Sequence, residues 1–183
     1  MSIPKTWKGV VGVYSACPKE VQSYFEYFPD LAEDYPWEVA LSYLFGRVEL
    51  AHNMAIYCGI VKLHKGNAEL TRKAVESHHL TRDGFRTFFA AIYGKPIDAK
   101  ISQLIEEAEA IRDKVLHGKS ASQEELRRSV VRVLEYAVQF NAFVHAIAGI
   151  KPFNDLRGFK GRAVSHDKST TRWLLKGMGL PLS

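Results

Sequence analysis

Cysteine is nearly missing from this chain. Cys17 and Cys58 are the only two among 183 residues, and their spacing suits no metal. That excludes a disulfide-stapled scaffold and a cysteine-ligated zinc module, and leaves two buried thiols of a cytoplasmic protein as the expectation. Long apolar runs are also missing. The longest, Met54 to Val61, has eight residues, too few to span a bilayer. Met1 to Lys8 carries no apolar stretch of the secretory kind, so neither a signal peptide nor a membrane partner is expected. Lys168-Ser169-Thr170 lacks the preceding glycines of a phosphate loop. His78 and His79 are adjacent, with no third ligand in view, so the sequence calls for no metal and no cofactor.

What is present argues for a packed fold. Apolar residues make up 46% of the chain and charged residues 25%, a balance that favours a core over disorder. The length fits one domain, read as a helical core over 18–149 followed by a basic segment over 150–183. Charge is uneven along it. Residues 1–150 hold 18 Lys+Arg against 18 Asp+Glu, whereas 151–183 hold seven basic residues against Asp155 and Asp167. The whole net charge of +5 therefore sits in the last 33 residues. Such a localised excess suits a polyanion, and equally a solvated tail.

Helical spacing dominates the middle of the chain. The first 17 residues, with Trp7, Val10, Val11, Val13 and Tyr14, fit an extended arm or short strand. Lys19 to Phe28 reads as a short helix stopped by Pro29. Pro36 opens a long helix to about Lys65, with Gly46 and Gly59 inside it, each costing up to about 1 kcal/mol unless close packing recovers it. Further helices are expected over Ala68–His79, after Thr81, after Asp98 and from the Ser122/Glu125 capping box to Gly149, with a last short one near Thr171–Met178. The fold class that follows is all-α, a helical bundle with a long central helix and a basic C-terminal extension.

One stretch carries chemistry. Ile111-Arg112-Asp113-Lys114-Val115-Leu116-His117-Gly118 ends an amphipathic helix with an arginine, an acid, a histidine and a terminating glycine. Arginine grips phosphate bidentately, and histidine both takes and gives a proton near neutral pH. The bare spacing recurs from Arg47 to His52 and from Arg72 to His78 and His79. Only the Arg112 copy adds the acidic neighbour, the apolar flanks and the glycine. In these features the segment resembles the R-x4-6-H motif of the HEPN superfamily, over about residues 36–148. The resemblance implies an all-helical domain and a metal-independent endoribonuclease that leaves a 2′,3′-cyclic phosphate and a 5′-hydroxyl. Two domains would pair so that both motifs line one cleft, in a toxin or defence setting. Arg112 would then clamp phosphate and His117 would act as acid or base.

The residues themselves add two points. Asp113 and His117 lie four apart on one helix face, where the acid can orient the imidazole. Arg112 and His117 lie five apart, about 7.5 Å in rise and about 140° in angle. They cannot address one atom unless the helix end unwinds or a second copy completes the site, which favours a homodimer. Arg157, Lys160, Arg162 and Lys168 are the candidate RNA contacts, with Phe159 either stacking a base or plugging into the bundle. Arg47, Glu49, His52 and Asn53 form either a second wall of the cleft or a buried polar network. The competing readings are a non-catalytic module that binds nucleic acid or protein, and a chain paired with an antitoxin or a nucleotidyltransferase.

Overall fold

The computed structural model describes residues 3–180 and 182. Among them are nine α-helices and no strand, so the fold class is all-α. The helices are α1 (Trp7–Ser15), α2 (Lys19–Tyr24), α3 (Phe28–Asp34), α4 (Trp37–Leu63) and α5 (Ala68–Ser77). They continue with α6 (Arg82–Tyr93), α7 (Ala99–Leu116), α8 (Gln123–Ala148) and α9 (Lys168–Gly177). None is long and apolar enough to cross a membrane.

Most boundaries are set by caps that neutralise the free amides of a first turn. Thr81 Oγ1 accepts from the Gly84 amide at 3.1 Å, and Asp98 Oδ1 from Lys100 at 2.8 Å. Ser122 and Glu125 close the reciprocal box: Glu125 accepts the Ser122 amide at 2.7 Å, and Ser122 Oγ accepts the Glu125 amide at 3.2 Å. Gly94 (φ 66°) and Gly149 (φ 61°) end α6 and α8 in the left-handed region, where a Cβ would be strained.

Three expectations need correcting. The N-terminal arm is helix α1, capped by Thr6, whose Oγ1 accepts from Gly9; Val10 and Tyr14, four apart, bury one side of it. Pro29 does not stop a helix but sits in the first turn of α3, where its missing amide costs nothing. The last helix starts at Lys168, not near Thr171, because Asp167 accepts from both the Ser169 and Thr170 amides.

The helices gather into two compact units. The first comprises the chain up to Glu49, Asp98–Phe143 and Phe153–Asp155. Its interior includes Val10, Val21, Phe28, Leu41, Leu126 and Leu134, all almost fully buried. An aromatic cluster closes it: the Phe153 ring lies 5.4 Å from Tyr24, 5.7 Å from Phe25, 5.9 Å from Tyr136 and 6.3 Å from Phe140.

The second unit comprises Leu50–Ile97, Val144–Pro152 and the chain from Leu156. Here α4 and α6 approach closely. A Cβ on Gly59 would lie 2.5 Å from Ile92 Cγ2, so the bare glycine permits the contact and recovers its propensity cost. Gly46, by contrast, faces open space. The Tyr93 hydroxyl donates to the Ala55 carbonyl at 2.7 Å, and His64 Nε2 lies 2.7 Å from the Ile92 carbonyl. Both cysteines are free thiols. Burial pushes Cys17 up to about 11 and Cys58 up to about 12, so neither ionises near neutral pH.

Candidate functional site

The first unit carries the Arg112 motif at the end of α7. The helix closes with two nested backbone bonds: Gly118 N–H to Val115 C=O at 2.9 Å, and Lys119 N–H to Lys114 C=O at 3.0 Å. Gly118 takes φ 71° to allow this, a conformation glycine adopts without a side-chain clash. His117 is thereby the C-cap residue, with φ −86° and ψ 17°. Its backbone amide donates to the Asp113 carbonyl at 3.0 Å. Its side chain is exposed and makes no hydrogen bond or ion pair with another described residue.

Arg112, five residues earlier, is held on three sides. Its Nη2 donates to Glu49 Oε1 at 3.2 Å, and its Nη1 lies 3.8 Å from Asp113 Oδ1. Its guanidinium carbon sits 5.2 Å from the centre of the buried Phe45 ring. Phe45 and Glu49 are four apart on α4, so one helix face supplies both an aromatic floor and an acid. The Arg112 side chain is 27% exposed and that of Glu49 58%. An ion pair this open to water contributes about 0–1 kcal/mol. Glu49 therefore fixes where the guanidinium sits without holding it firmly against a competing phosphate, which offers bidentate acceptors of the same charge sign.

The Asp113 carboxylate, expected to orient the imidazole, lies instead beside the Arg112 guanidinium, and only the backbone joins Asp113 to His117. The structure thus joins Arg112 to Asp113 and Glu49, and leaves His117 unrestrained at the helix tip. Of the polar set on α4, Arg47 serves packing: its Nε donates to the Tyr24 carbonyl at 3.0 Å, and its guanidinium lies 4.1 Å over the Tyr24 ring.

The turn after His117 is tethered. Lys114 Nζ reaches Glu125 Oε1 at 3.1 Å and Oε2 at 3.3 Å, joining the end of α7 to the start of α8. The Ser122 amide, and then the Lys114 ammonium, hold the Glu125 carboxyl down to about 2 from its ordinary 4.5. A depressed acid stabilises the fold above its ordinary value, and that contribution is lost as pH falls toward about 2. Glu125→Gln should therefore give a shallower loss of Tm on acidification over that window than the natural chain shows. Two superimposable acid limbs would refute the tether.

In the second unit, His52 is half-buried and stacks on Phe85, ring centres 3.8 Å apart. Burial, aided by the Arg86 cation, pushes its imidazole down to about 3, so it is neutral at physiological pH. The basic segment is anchored by its aromatic residue. Phe159 packs edge-on against Tyr57 at 6.5 Å, and its carbonyl accepts the Tyr57 hydroxyl at 2.9 Å. Gly161 passes so near α4 that a Cβ would stand 2.9 Å from the Val61 carbonyl oxygen. Phe159 is thus a plug, while Arg157, Lys160 and Arg162 flank it exposed. Lys160 and Arg162 enter no ion pair with a described residue, whereas Lys168 reaches Glu69 at 3.3 Å.

No protein-family profile, curated protein or solved structure matches the chain. Phe45 was not foreseen as part of the site. Glu49 enters the sequence reading with Arg47, His52 and Asn53 as either a second wall of the cleft or a buried polar network, and its four-residue spacing from Phe45 is the signal for its pairing with Arg112.

Proposed function

We propose that this chain is a HEPN-like endoribonuclease that cleaves RNA by metal-independent transesterification, working in the cytoplasm as a homodimer within a toxin or defence system. The observation that carries this reading is the presence, five residues apart at the end of one helix, of a braced phosphate-binding cation and an exposed imidazole that has no competing partner among the described residues.

In the reaction, the ribose 2′-oxygen bonds to phosphorus and the bond to the 5′-oxygen breaks. One His117 takes the 2′-hydroxyl proton, and His117 of a second copy returns a proton to the departing 5′-oxygen. Arg112 releases Glu49 and spreads its fork across the non-bridging oxygens, where charge accumulates. Asp113, beside Arg112, sets the guanidinium plane. The products are a 2′,3′-cyclic phosphate and a 5′-hydroxyl. The test is incubation of the purified chain with total RNA in EDTA, followed by analysis of the new ends. Cyclic-phosphate ends support the reading, and intact RNA throughout the pH range where imidazole titrates rejects it.

A second reading is a non-catalytic helical module that binds nucleic acid or protein. It is favoured by the two acids already within reach of Arg112, which offset its charge. That module would show salt-sensitive nucleic-acid binding dependent on Arg157, Lys160 and Arg162, with no cleavage.

A further inference from the structure

Helix α9 presents an unusual outer face. Thr171 and Leu175 are its buried side. Ser169, Arg172, Trp173 and Lys176 are exposed and fall within an arc of about 100° on a helical projection. Trp173 is 77% exposed. A single apolar side chain in water is ordinary, and Trp173 alone would mean little. Its surroundings set it apart. Arg172 and Lys176 share its face, and neither forms an ion pair with a described residue. The one acid at this helix, Asp167, is occupied by the Ser169 and Thr170 hydroxyls at 2.6 Å each, besides capping the amides. Arg112, Lys114, Arg128 and Arg132 are matched by carboxylates, whereas Arg172 and Lys176 share with Lys160 and Arg162 the lack of an ion pair with a described residue.

The platform is also well fixed. The Thr171 hydroxyl, fully buried, accepts the Asn67 amide at 3.1 Å and ties α9 to the start of α5. Leu175 is fully buried. The indole therefore stands on a braced helix with two uncompensated cations one turn or less away.

We propose that this face binds single-stranded nucleic acid, with a base stacked on the Trp173 indole and the flanking phosphates met by Arg172 and Lys176. The proposal gives the form of RNA that the suggested nuclease would hold, and its biological role rests on that reading, but the binding itself requires no cleavage. Single strands fit because stacking on a side chain needs a splayed base, which a duplex does not offer. A bilayer fits less well. An in-plane membrane helix needs a broad apolar face, and here Thr171 and Leu175 are already turned inward, leaving one ring amid charges. A protein interface would favour Trp173 and Arg172 but not Lys176, whereas a single strand uses all three, the ring for a base and both cations for phosphates.

The test is fluorescence anisotropy of the full natural chain with a labelled oligo(dT) of about 12 nucleotides, within the usual span of single-strand sites. A deoxy strand has no 2′-hydroxyl, so binding is read apart from cleavage. Trp173→Ala should weaken binding by about 5- to 100-fold, the range set by one lost base stack. Trp173→Phe, which keeps a ring, should recover most of it. Arg172→Ala with Lys176→Ala should flatten the log–log salt slope by about 1.4, two phosphate contacts on a single strand. Because all three residues are exposed, the variants should keep the natural circular dichroism. Binding by Trp173→Ala equal to that of the natural chain overturns the proposal. So does preference for a duplex of equal length, or for phosphatidylserine vesicles over the oligonucleotide. Oligonucleotide binding with no RNA cleavage would leave this surface standing while the nuclease reading falls. Cleavage with Trp173-independent binding would do the reverse.

Discussion

On the proposed nuclease reading, His117→Ala should remove most of the RNA cleavage while leaving the fold intact. One positioned general acid or base contributes about 10²- to 10⁴-fold, and a homodimer of the variant lacks both imidazoles, so the expected loss lies toward the larger figure. The fold should survive because nothing structural depends on the ring. His117 is exposed, its φ and ψ suit alanine, and the bonds that close α7 come from the backbone amides of His117, Gly118 and Lys119. The competing explanation is that a histidine at a helix C-terminus serves the helix dipole alone, which is worth about 0.3–1 kcal/mol. The two explanations separate cleanly. A dipole role predicts a small fall in Tm and unchanged cleavage; a chemical role predicts unchanged Tm and lost cleavage. Two imidazoles sharing base and acid duty would also give a bell-shaped pH–rate profile for the natural chain. A His117→Ala protein that cuts RNA at the natural rate would end the nuclease reading.

The long helices are legible because their apolar spacing and caps agree. Asp98, Thr81 and the Ser122/Glu125 box mark starts that packing has no reason to move. Where local signals conflict with tertiary burial, the sequence misleads. Trp7 to Tyr14 is rich in β-branched residues and glycine, both poor helix formers, yet burial of Val10 and Tyr14 on one side decides for a helix. Pro29 is ambiguous by nature, since proline both ends helices and opens them. The motif residues were legible one by one, and their partners were not. Glu49 reaches Arg112 across 63 positions of chain, a distance that no local pattern encodes. Trp173 stayed hidden for a related reason. An aromatic residue in an amphipathic helix normally points inward, and only the burial of Thr171 and Leu175 shows which way this helix is turned.

Phe153→Ala should cost about 3–5 kcal/mol, a large share of the roughly 5–15 kcal/mol that holds a domain together. The ring is fully buried among Tyr24, Phe25, Tyr136 and Phe140, all within 6.3 Å between centres. Removing it leaves a cavity lined by aromatic rings that cannot collapse readily. The same residue is fixed through its backbone. Buried Asn141 on α8 donates its amide to the Phe153 carbonyl at 3.0 Å and accepts the Phe153 amide at 2.8 Å, so the chain just beyond α8 is locked to that helix by two bonds. Asn141→Asp separates this lock from simple packing. A carboxylate still accepts the Phe153 amide, but its second oxygen meets the carbonyl acceptor to acceptor, and only a bound proton restores the bond. The folded carboxyl must then titrate above the ordinary aspartate range. An acid raised in the folded state is most stabilising at low pH, and that stability is lost as pH rises toward its folded value. Urea midpoints should accordingly show Asn141→Asp nearer to the natural chain in mild acid and furthest from it at neutral pH, whereas Phe153→Ala should fall short of the natural chain at both. A deficit for Asn141→Asp that does not grow with pH would mean that the side-chain amide is not the donor that holds this segment.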